Sequence, residues 1–182
     1  GLDGFSRTMQ AYFFDFDRDN DLDVYLVNHP YNFWLPIEMR LEAEKTPYPD
    51  ETDQLFRNNG NGTFTDVTKQ AGLVNWAFGL SASVGDLNRD GWPDLYVCND
   101  YSEKDELCIN NQDGTFTKAI DSAMFHISNF SMGSDIADYN NDLLPDIMVV
   151  DMMAEDNRRK KINMSAMKPE VFWDNVAIGR HH

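Results

Sequence analysis

The sequence predicts an all-β protein: a partial β-propeller of four-stranded antiparallel blades, about two and a half blades long. An acidic stretch followed at once by an apolar strand occurs three times, at residues 11–28, 81–99 and 134–151. Hairpin segments with an Asn-Gly or Asp-Gly turn follow the first two copies, at residues 54–68 and 106–120. Each full repeat is therefore strand, acidic loop, strand, connection, strand, tight turn and strand, which is the make-up of a propeller blade.

The composition is typical of a folded domain and argues against several classes of partner. The chain has 182 residues, of which 42% are hydrophobic, and a chain of this length can bury a core of its own. Its formal net charge is −16, so nucleic acid and anionic membrane surfaces would repel it, whereas cations would be attracted. It has no apolar run long enough for membrane insertion, and its opening residues do not resemble a signal peptide. We therefore expect a cation as ligand, no nucleic-acid partner and no membrane insertion.

The spacing of the repeats sets the blade boundaries. The acidic loops begin at Asp15, Asp86 and Asp138, so they are 71 and 52 residues apart. An insertion at 29–52, which carries a short helical pattern between prolines, accounts for the longer first interval. The chain is interpreted as a single repeat domain, 1–182, with blade 1 at 5–70, blade 2 at 76–120, the start of blade 3 at 128–151, and a tail at 152–182 whose closing "GRHH" resembles a purification-tag remnant.

The acidic loops carry oxygen ligands at alternate positions, which is the pattern of a calcium site. Calcium binds about six to eight oxygen atoms, and alternate residues of a tight loop can direct several carboxylates at one point. With the first Asp of each loop as position 1, the candidate ligands are the side chains at positions 1, 3, 5 and 9 and the backbone carbonyl at position 7. These are Asp15, Asp17, Asp19, Asp21 and Asp23 in loop 1; Asp86, Asn88, Asp90, Trp92 and Asp94 in loop 2; and Asp138, Asn140, Asp142, Leu144 and Asp146 in loop 3. Up to three calcium ions are expected.

An EF-hand is the familiar alternative for such a motif, and the sequence argues against it. An EF-hand needs a bidentate Glu at position 12 and a helix on each side, whereas position 12 is an apolar strand residue in all three loops. Position 6 needs a left-handed backbone and is Asn20, Gly91 or Leu143. Leucine adopts that backbone at a cost of about 1 kcal/mol or more. We therefore expect calcium occupancy to fall in the order loop 2, loop 1, loop 3.

The motifs around the loops resemble a known repeat family. Phe78-Gly79 precedes loop 2, "FSMG" (130–133) precedes loop 3, and the "NNQDGTF" hairpin of the second repeat (110–116) has a close counterpart in the first. Together with the D-x-[DN]-x-D-G-x-x-D loop, they are similar to the FG-GAP or VCBS repeats of integrin α-subunit propellers and of bacterial surface proteins, including relatives of cartilage acidic protein. The resemblance covers residues 5–155. It implies propeller blades whose loops bind calcium, and a role in adhesion or ligand binding rather than catalysis.

A non-catalytic calcium-binding module of a secreted or cell-surface protein is therefore the expected function. Calcium loops of this kind suit the higher calcium of extracellular fluid or the periplasm, and the expected partner is an unknown extracellular protein or glycan. The sequence contains no Gly-rich phosphate loop, no His-Glu-x-x-His and no Gly-x-Ser-x-Gly motif. Two alternatives remain open: a portion of a carbohydrate-active enzyme such as a polysaccharide lyase, and a structural spacer.

The two cysteines lie on consecutive strands of one predicted hairpin. Cross-strand neighbours can be close enough for a disulfide. We expect Cys98 and Cys108 to be buried free thiols, with a disulfide between them as the alternative.

A partial propeller cannot close, so one face of the first blade and one face of the last should be open. Such faces would present larger apolar patches than a soluble monomer normally shows. We expect the chain to self-associate through them or to cover the last blade with its tail, 152–178. The residues expected to line the open faces are Tyr12, Phe14, Met148 and Val150.

Overall fold

Three antiparallel sheets make up the described part of the computed structural model. The described residues are 6–31, 39, 42, 45, 49–100, 103–128 and 130–152. The first sheet has the order β1-β2-β3-β4 and consists of β1 (Arg7–Phe14), β2 (Asp23–His29), β3 (Gln54–Asn58) and β4 (Phe64–Asp66). The second sheet repeats that order with β5 (Phe78–Gly85), β6 (Asp94–Asp100), β7 (Glu106–Asn110) and β8 (Phe116–Lys118). The third sheet pairs β9 (Ser131–Ala137) with β10 (Asp146–Asp151).

These sheets are the blades of a partial β-propeller, as the sequence predicts. Their strands fall within the predicted ranges of blades 1, 2 and 3. The helical elements that lie wholly within the described residues are short: a 3-10 helix at Pro49–Glu51, α1 at Thr68–Ala71 and α2 at Ile120–Ala123. In the insertion, the described residues Met39, Glu42 and Lys45 are helical, in agreement with its helical pattern. None of the helices in the described part of the chain has the length and apolar character needed to span a bilayer.

Blade 2 is buried on both faces because it lies between its neighbours. Leu95 and Val97 of β6 belong to a core cluster shared with blade 1, whereas Tyr96 and Cys98 belong to a cluster shared with blade 3. Successive side chains of a strand point to opposite faces. A central blade therefore needs an apolar run rather than alternation, and β6 is buried along its whole length.

The same geometry explains the state of the cysteines. Both are free and buried, as expected. Cys108 lies opposite Leu95 in the β6–β7 ladder, and Cys98 is three residues further along β6. The two thiols consequently lie on opposite faces of the sheet and belong to different clusters, which excludes the alternative of a disulfide.

The expectation that Tyr12 and Phe14 line an open face is wrong. Phe14 is buried in the cluster between blades 1 and 2, and Tyr12 packs against that cluster. The alternate residues Met9 and Phe13 face outward, with 52% and 56% of their surface exposed. The alternation of β1 is visible in the sequence, but which set of side chains faces the neighbouring blade is decided by the stacking of the blades.

On blade 3 the predicted exposure of two residues of β10 is confirmed. Met148 and Val150 of β10 are 68% and 53% exposed. The self-association expected through such faces remains a prediction. Apart from Met152, the tail that was expected as an alternative cover lies outside the described residues.

Gly79 allows β5 to approach blade 1 closely. A Cβ atom at this position would lie 2.6 Å from Cγ1 of Val27 and 3.3 Å from Oδ1 of Asp53. The first distance is too short for a carbon–carbon contact, so any larger residue would push the two blades apart. The glycine of the Phe78-Gly79 motif therefore has a packing role.

A buried hydrogen-bond network joins the blades at the end of the sheets away from the acidic loops. The carboxylate of Asp53 is completely buried. It accepts hydrogen bonds from Oη of Tyr25 at 2.9 Å, the backbone N–H of Asn28 at 2.8 Å and the side-chain amide of Asn75 at 2.7 Å. The Asn75 amide also donates to Oδ1 of Asn99 in blade 2 at 3.3 Å.

Blade 2 repeats this arrangement and extends it to blade 3. Asp105 is also completely buried. It accepts from Oη of Tyr96 at 2.7 Å, from the backbone N–H of Asn99 at 2.9 Å and from Oγ of Ser131 in blade 3 at 2.6 Å. One network of hydrogen bonds therefore runs through all three blades.

Substitution of Gly79 by alanine should destabilise the protein by about 1–3 kcal/mol, the usual cost of overpacking. Gly133→Ala is the matched control, since its Cβ would meet nothing nearer than Cγ2 of Val150 at 3.5 Å. The control should change stability by less than about 0.5 kcal/mol. Urea unfolding of both variants checks this, and equal losses would contradict the packing role of Gly79.

The buried Asp53 should make stability depend on pH. Burial raises its pKa to about 6, above the value of about 3.9 for an exposed aspartate. The folded state therefore binds the proton more tightly, and the contribution of Asp53 to stability increases as the pH falls through 6 toward 3.9. Asp53→Asn cannot take up this proton. The free energy of unfolding of the wild type minus that of the variant should be larger at pH 4.5 than at pH 7.5, by about 2 kcal/mol.

Urea unfolding in calcium-free buffer at the two pH values measures this difference. A difference that is constant, or smaller at the lower pH, would contradict the assignment of Asp53 as a buried carboxylate with a raised pKa.

Candidate metal centre

The three acidic loops occupy the same place in their blades. Each connects the first strand to the second: loop 1 follows β1, loop 2 follows β5 and loop 3 follows β9. Positions 4 and 6 have a positive φ angle in every loop, so the three loops share one backbone conformation. The residues and angles are Arg18 (60°), Asn20 (72°), Arg89 (64°), Gly91 (86°), Asn141 (61°) and Leu143 (69°).

The aspartate at position 1 fixes this conformation. Its two carboxylate oxygens accept the backbone N–H groups of positions 5 and 6, at 2.9 to 3.1 Å in all three loops. The N–H of position 7 in turn donates to the carboxylate at position 5, at 2.8 to 2.9 Å. Short polar side chains that bind the local backbone in this way stabilise tight turns. The aspartates therefore shape the loop in addition to being candidate ligands.

The aspartate at position 9 anchors the loop to the blade. Asp23 is completely buried and accepts the N–H of Phe16 at 3.1 Å and that of Asn58, the last residue of β3, at 2.8 Å. Asp94 does the same in blade 2, with Leu87 and with Asn110 at the end of β7. Burial raises the pKa of Asp23 to about 6. Both oxygens of this predicted ligand are thus already engaged by backbone groups.

Loop 1 brings three of its predicted ligands together. Carboxylate oxygens of Asp15, Asp17 and Asp19 lie within 4.8 Å of one another, whereas the carboxylate of Asp23 is outside this group. The predicted ligand of Asp21 is its backbone carbonyl, which stays a prediction. Oδ1 of Asp17 is buried and has no hydrogen-bond partner among the described residues. Burial, and then the charge of Asp19, raise the pKa of Asp17. Such an oxygen is costly unless something neutralises it, and a set of hard carboxylate oxygens fits calcium.

In loop 2 the carboxylate at position 5, Asp90, accepts hydrogen bonds from three neighbouring groups. Asp90 accepts the N–H of Trp92 at 2.8 Å, the amide of Asn88 at 2.9 Å and the amide of Gln112 at 3.0 Å. These hydrogen bonds, led by that from Trp92, and the nearby charge of Arg18 lower the pKa of Asp90. The part played by Gln112, which comes from the hairpin between β7 and β8, was not predicted from the sequence.

Loop 3 has the same internal hydrogen bonds but less support. Asn140 donates to Asp142 at 3.1 Å. Asp146 is half-buried and accepts the N–H of Tyr139 at 3.3 Å. Leu143 adopts the left-handed backbone that is costly for leucine, and its side chain is 81% exposed. Loop 3 therefore reaches the common conformation with strain at position 6.

A cavity of about 210 Å³ lies beside loop 1, between blades 1 and 2. Its lining includes Asp17 and Arg57 of blade 1 and Trp92, Gln112 and Asp113 of blade 2. Charged groups of both signs, amides and an aromatic ring therefore converge next to the loop-1 carboxylates.

Tandem four-stranded blades, each with an acidic loop between its first two strands, define the class of FG-GAP-type propeller repeats. The family profile described as FG-GAP-like repeat matches residues 46–97 and 86–149, which together span more than half of the 182 residues. The chain belongs to this family, as its motifs indicated. A search of curated proteins gave no match.

Replacement of Leu143 by asparagine should stabilise the calcium-free protein. Asparagine occupies the same position in loop 1 and tolerates a positive φ, so the change should relieve about 1 kcal/mol of strain. Leu144→Asn is the matched control, since residue 144 is not among those with a positive φ. Urea unfolding in the presence of a chelator measures both, and an equal response of the two variants would contradict the assignment of strain to position 6.

Proposed function

We propose that this chain is a calcium-binding FG-GAP repeat module of a secreted or cell-surface protein, and that it serves adhesion or ligand binding without catalysis. The observation that carries the metal site is the group of Asp15, Asp17 and Asp19 oxygens within 4.8 Å, with a buried Asp17 oxygen that has no partner among the described residues. Three carboxylates this close repel one another, and a divalent cation between them removes that repulsion.

The common backbone of the three loops supports up to three calcium sites. The side chains of positions 1, 3 and 5 would bind the ion from one side, and the carbonyl of position 7 would add a neutral oxygen. Calcium tolerates irregular shells that include water, whereas magnesium demands a near-ideal octahedron. Bound calcium would neutralise part of the −16 formal charge of the chain and stiffen the loop face.

The exposure of the loops supports an extracellular setting. Asp19, Asp90 and Asp142 are exposed, so water would complete the calcium shells. Sites of this type suit calcium concentrations of about 10⁻⁴–10⁻³ M, as found outside cells. The loop face also carries the cavity between blades 1 and 2, whose charged, amide and aromatic lining suits a polar ligand such as a glycan or a protein side chain.

Calcium should stabilise the wild type, and Asp17→Asn should lose one bound ion or bind it at least about tenfold more weakly, since it removes a charged ligand. The variant should still fold without calcium, because the substitution relieves repulsion at a half-buried carboxylate. Asp121→Asn is the control of equal charge: this side chain is 78% exposed and pairs with Lys104 away from the loops.

Isothermal titration and elemental analysis count the bound ions, and thermal unfolding with and without chelator reports the stabilisation. Melting curves that are identical in calcium and in chelator, together with no bound calcium, would exclude the metal site. Turnover of acidic polysaccharides by the purified chain would contradict the non-catalytic part of the proposal. Binding on a glycan or matrix-protein array that depends on calcium would distinguish a ligand-binding module from a structural spacer.

A further inference from the structure

A side chain of loop 1 lies on loop 2. The guanidinium carbon of Arg18 is 5.4 Å from the centroid of the Trp92 ring. Its Nη1 atom would be 3.5 Å from a Cβ atom built on Gly91. Gly91 and Trp92 are positions 6 and 7 of loop 2, directly after the candidate ligand Asp90. A positive charge from one candidate metal site therefore lies against the backbone of the next.

The position of this charge is set by the fold of loop 1. Arg18 lies between the candidate ligands Asp17 and Asp19 and has a φ of 60°. Asp15 fixes the turn by accepting the N–H groups of Asp19 and Asn20. The side chain is exposed, yet stacking on Trp92 directs it across the boundary between the blades.

Loop 2 offers Arg18 an electrostatic partner when calcium is absent. Its three carboxylates are those of Asp86, Asp90 and Asp94, and a nearby guanidinium offsets part of their mutual repulsion. Calcium would add two positive charges at the same place. The interaction of Arg18 with the loop would then become much less favourable or repulsive.

We propose that Arg18 is a resident counter-cation of loop 2, which stabilises the calcium-free form of that loop and lowers its calcium affinity. The inference rests on the proposed function, since it assigns a regulating residue to one of the proposed sites. Because any equilibrium coupling is reciprocal, calcium in loop 2 also weakens the hold of Arg18 on Trp92 and thereby acts on loop 1.

The next pair of loops along the chain differs. Arg89 occupies position 4 of loop 2, as Arg18 does in loop 1, but position 7 of loop 3 is Leu144. An aliphatic side chain offers no aromatic face on which a guanidinium can stack. Loop 3 should therefore lack a corresponding effect.

Each loop has its own reporter for the test. The position-6 amides of Asn20, Gly91 and Leu143 all donate to the position-1 aspartate, so their nuclear magnetic resonance signals should follow calcium binding loop by loop. Arg18→Gln should raise the affinity reported by Gly91 by roughly three- to tenfold, as Coulomb's law gives for a unit charge several ångströms from a divalent ion. The calcium concentration at the midpoint of the Leu143 titration should not change.

Two further variants separate charge from packing. Arg18→Lys keeps the charge and should return the Gly91 midpoint close to that of the wild type. Arg7→Gln removes an arginine that also stacks on an aromatic ring, that of Tyr31 at 4.8 Å, but at the opposite end of β1. Arg7→Gln should change the calcium concentration at the Gly91 midpoint by less than about twofold relative to the wild type, because salt screens charges beyond about 10 Å at 0.1 M ionic strength.

A Gly91 midpoint that is equal in Arg18→Gln and Arg7→Gln, or that moves to weaker binding in Arg18→Gln, overturns the role of Arg18 and leaves the calcium sites intact. A calcium titration that moves none of the three amides overturns the proposed function, and the role of Arg18 falls with it. A difference between the two variants that shrinks in high salt supports the electrostatic origin.

Discussion

The burial of a carboxylate at the junction between blades is the constraint on which the rest of the structure depends. An ionised carboxylate without partners is very costly in a protein interior, and Asp53 and Asp105 are both completely buried. Each is stabilised by a tyrosine hydroxyl and a backbone N–H of its own blade, and Asp105 also by Ser131 of the next blade. The blades must therefore stack in one register, in which Gly79 lets β5 approach blade 1 closely. That register brings loops 1 and 2 together at the other end of the sheets.

Buried aspartates lie at both ends of the sheets, but they are not all paired in the same way. At the buried end, donors surround the carboxylates, so they hold the blades together. At the loop end, Asp23 and Asp94 also have their oxygens engaged, but Oδ1 of Asp17 is buried without a partner among the described residues. The number of donors that reach an oxygen thus distinguishes Asp53 and Asp105 from Asp17, the aspartate for which we propose a cation as partner. This count cannot be read from the Asp-x-Asp pattern alone.

Much of the fold could be predicted because it follows from local periodicity. The three acidic loops, the strands on either side and the tight hairpins all repeat, and repetition identifies a blade. The face of the sheet on which Tyr12 and Phe14 lie could not be predicted, since either set of alternating side chains in β1 satisfies the strand pattern. The buried network did leave a signal: a tyrosine ten residues and an asparagine thirteen residues after the first aspartate occur in both repeats, as Tyr25 with Asn28 and Tyr96 with Asn99. The contact of Arg18 with Trp92 has no signal in the sequence, because it depends on the distance between the blades.

Loop 3 is the least supported of the three loops because the third repeat lacks this tyrosine and asparagine. In the third repeat, the positions of the tyrosine and asparagine are occupied by Met148 and Asp151. Asp151 instead accepts hydrogen bonds from Oγ of Ser128 and from the N–H of Phe130. In blades 1 and 2 the position-9 aspartate is held by the last residue of the third strand, whereas the described part of blade 3 consists of β9 and β10. A loop anchored by its third strand has its ligands ordered before a cation arrives, so less entropy is lost on binding. Under the proposed function, calcium affinity would therefore depend on the whole blade as well as on the loop that carries the ligands.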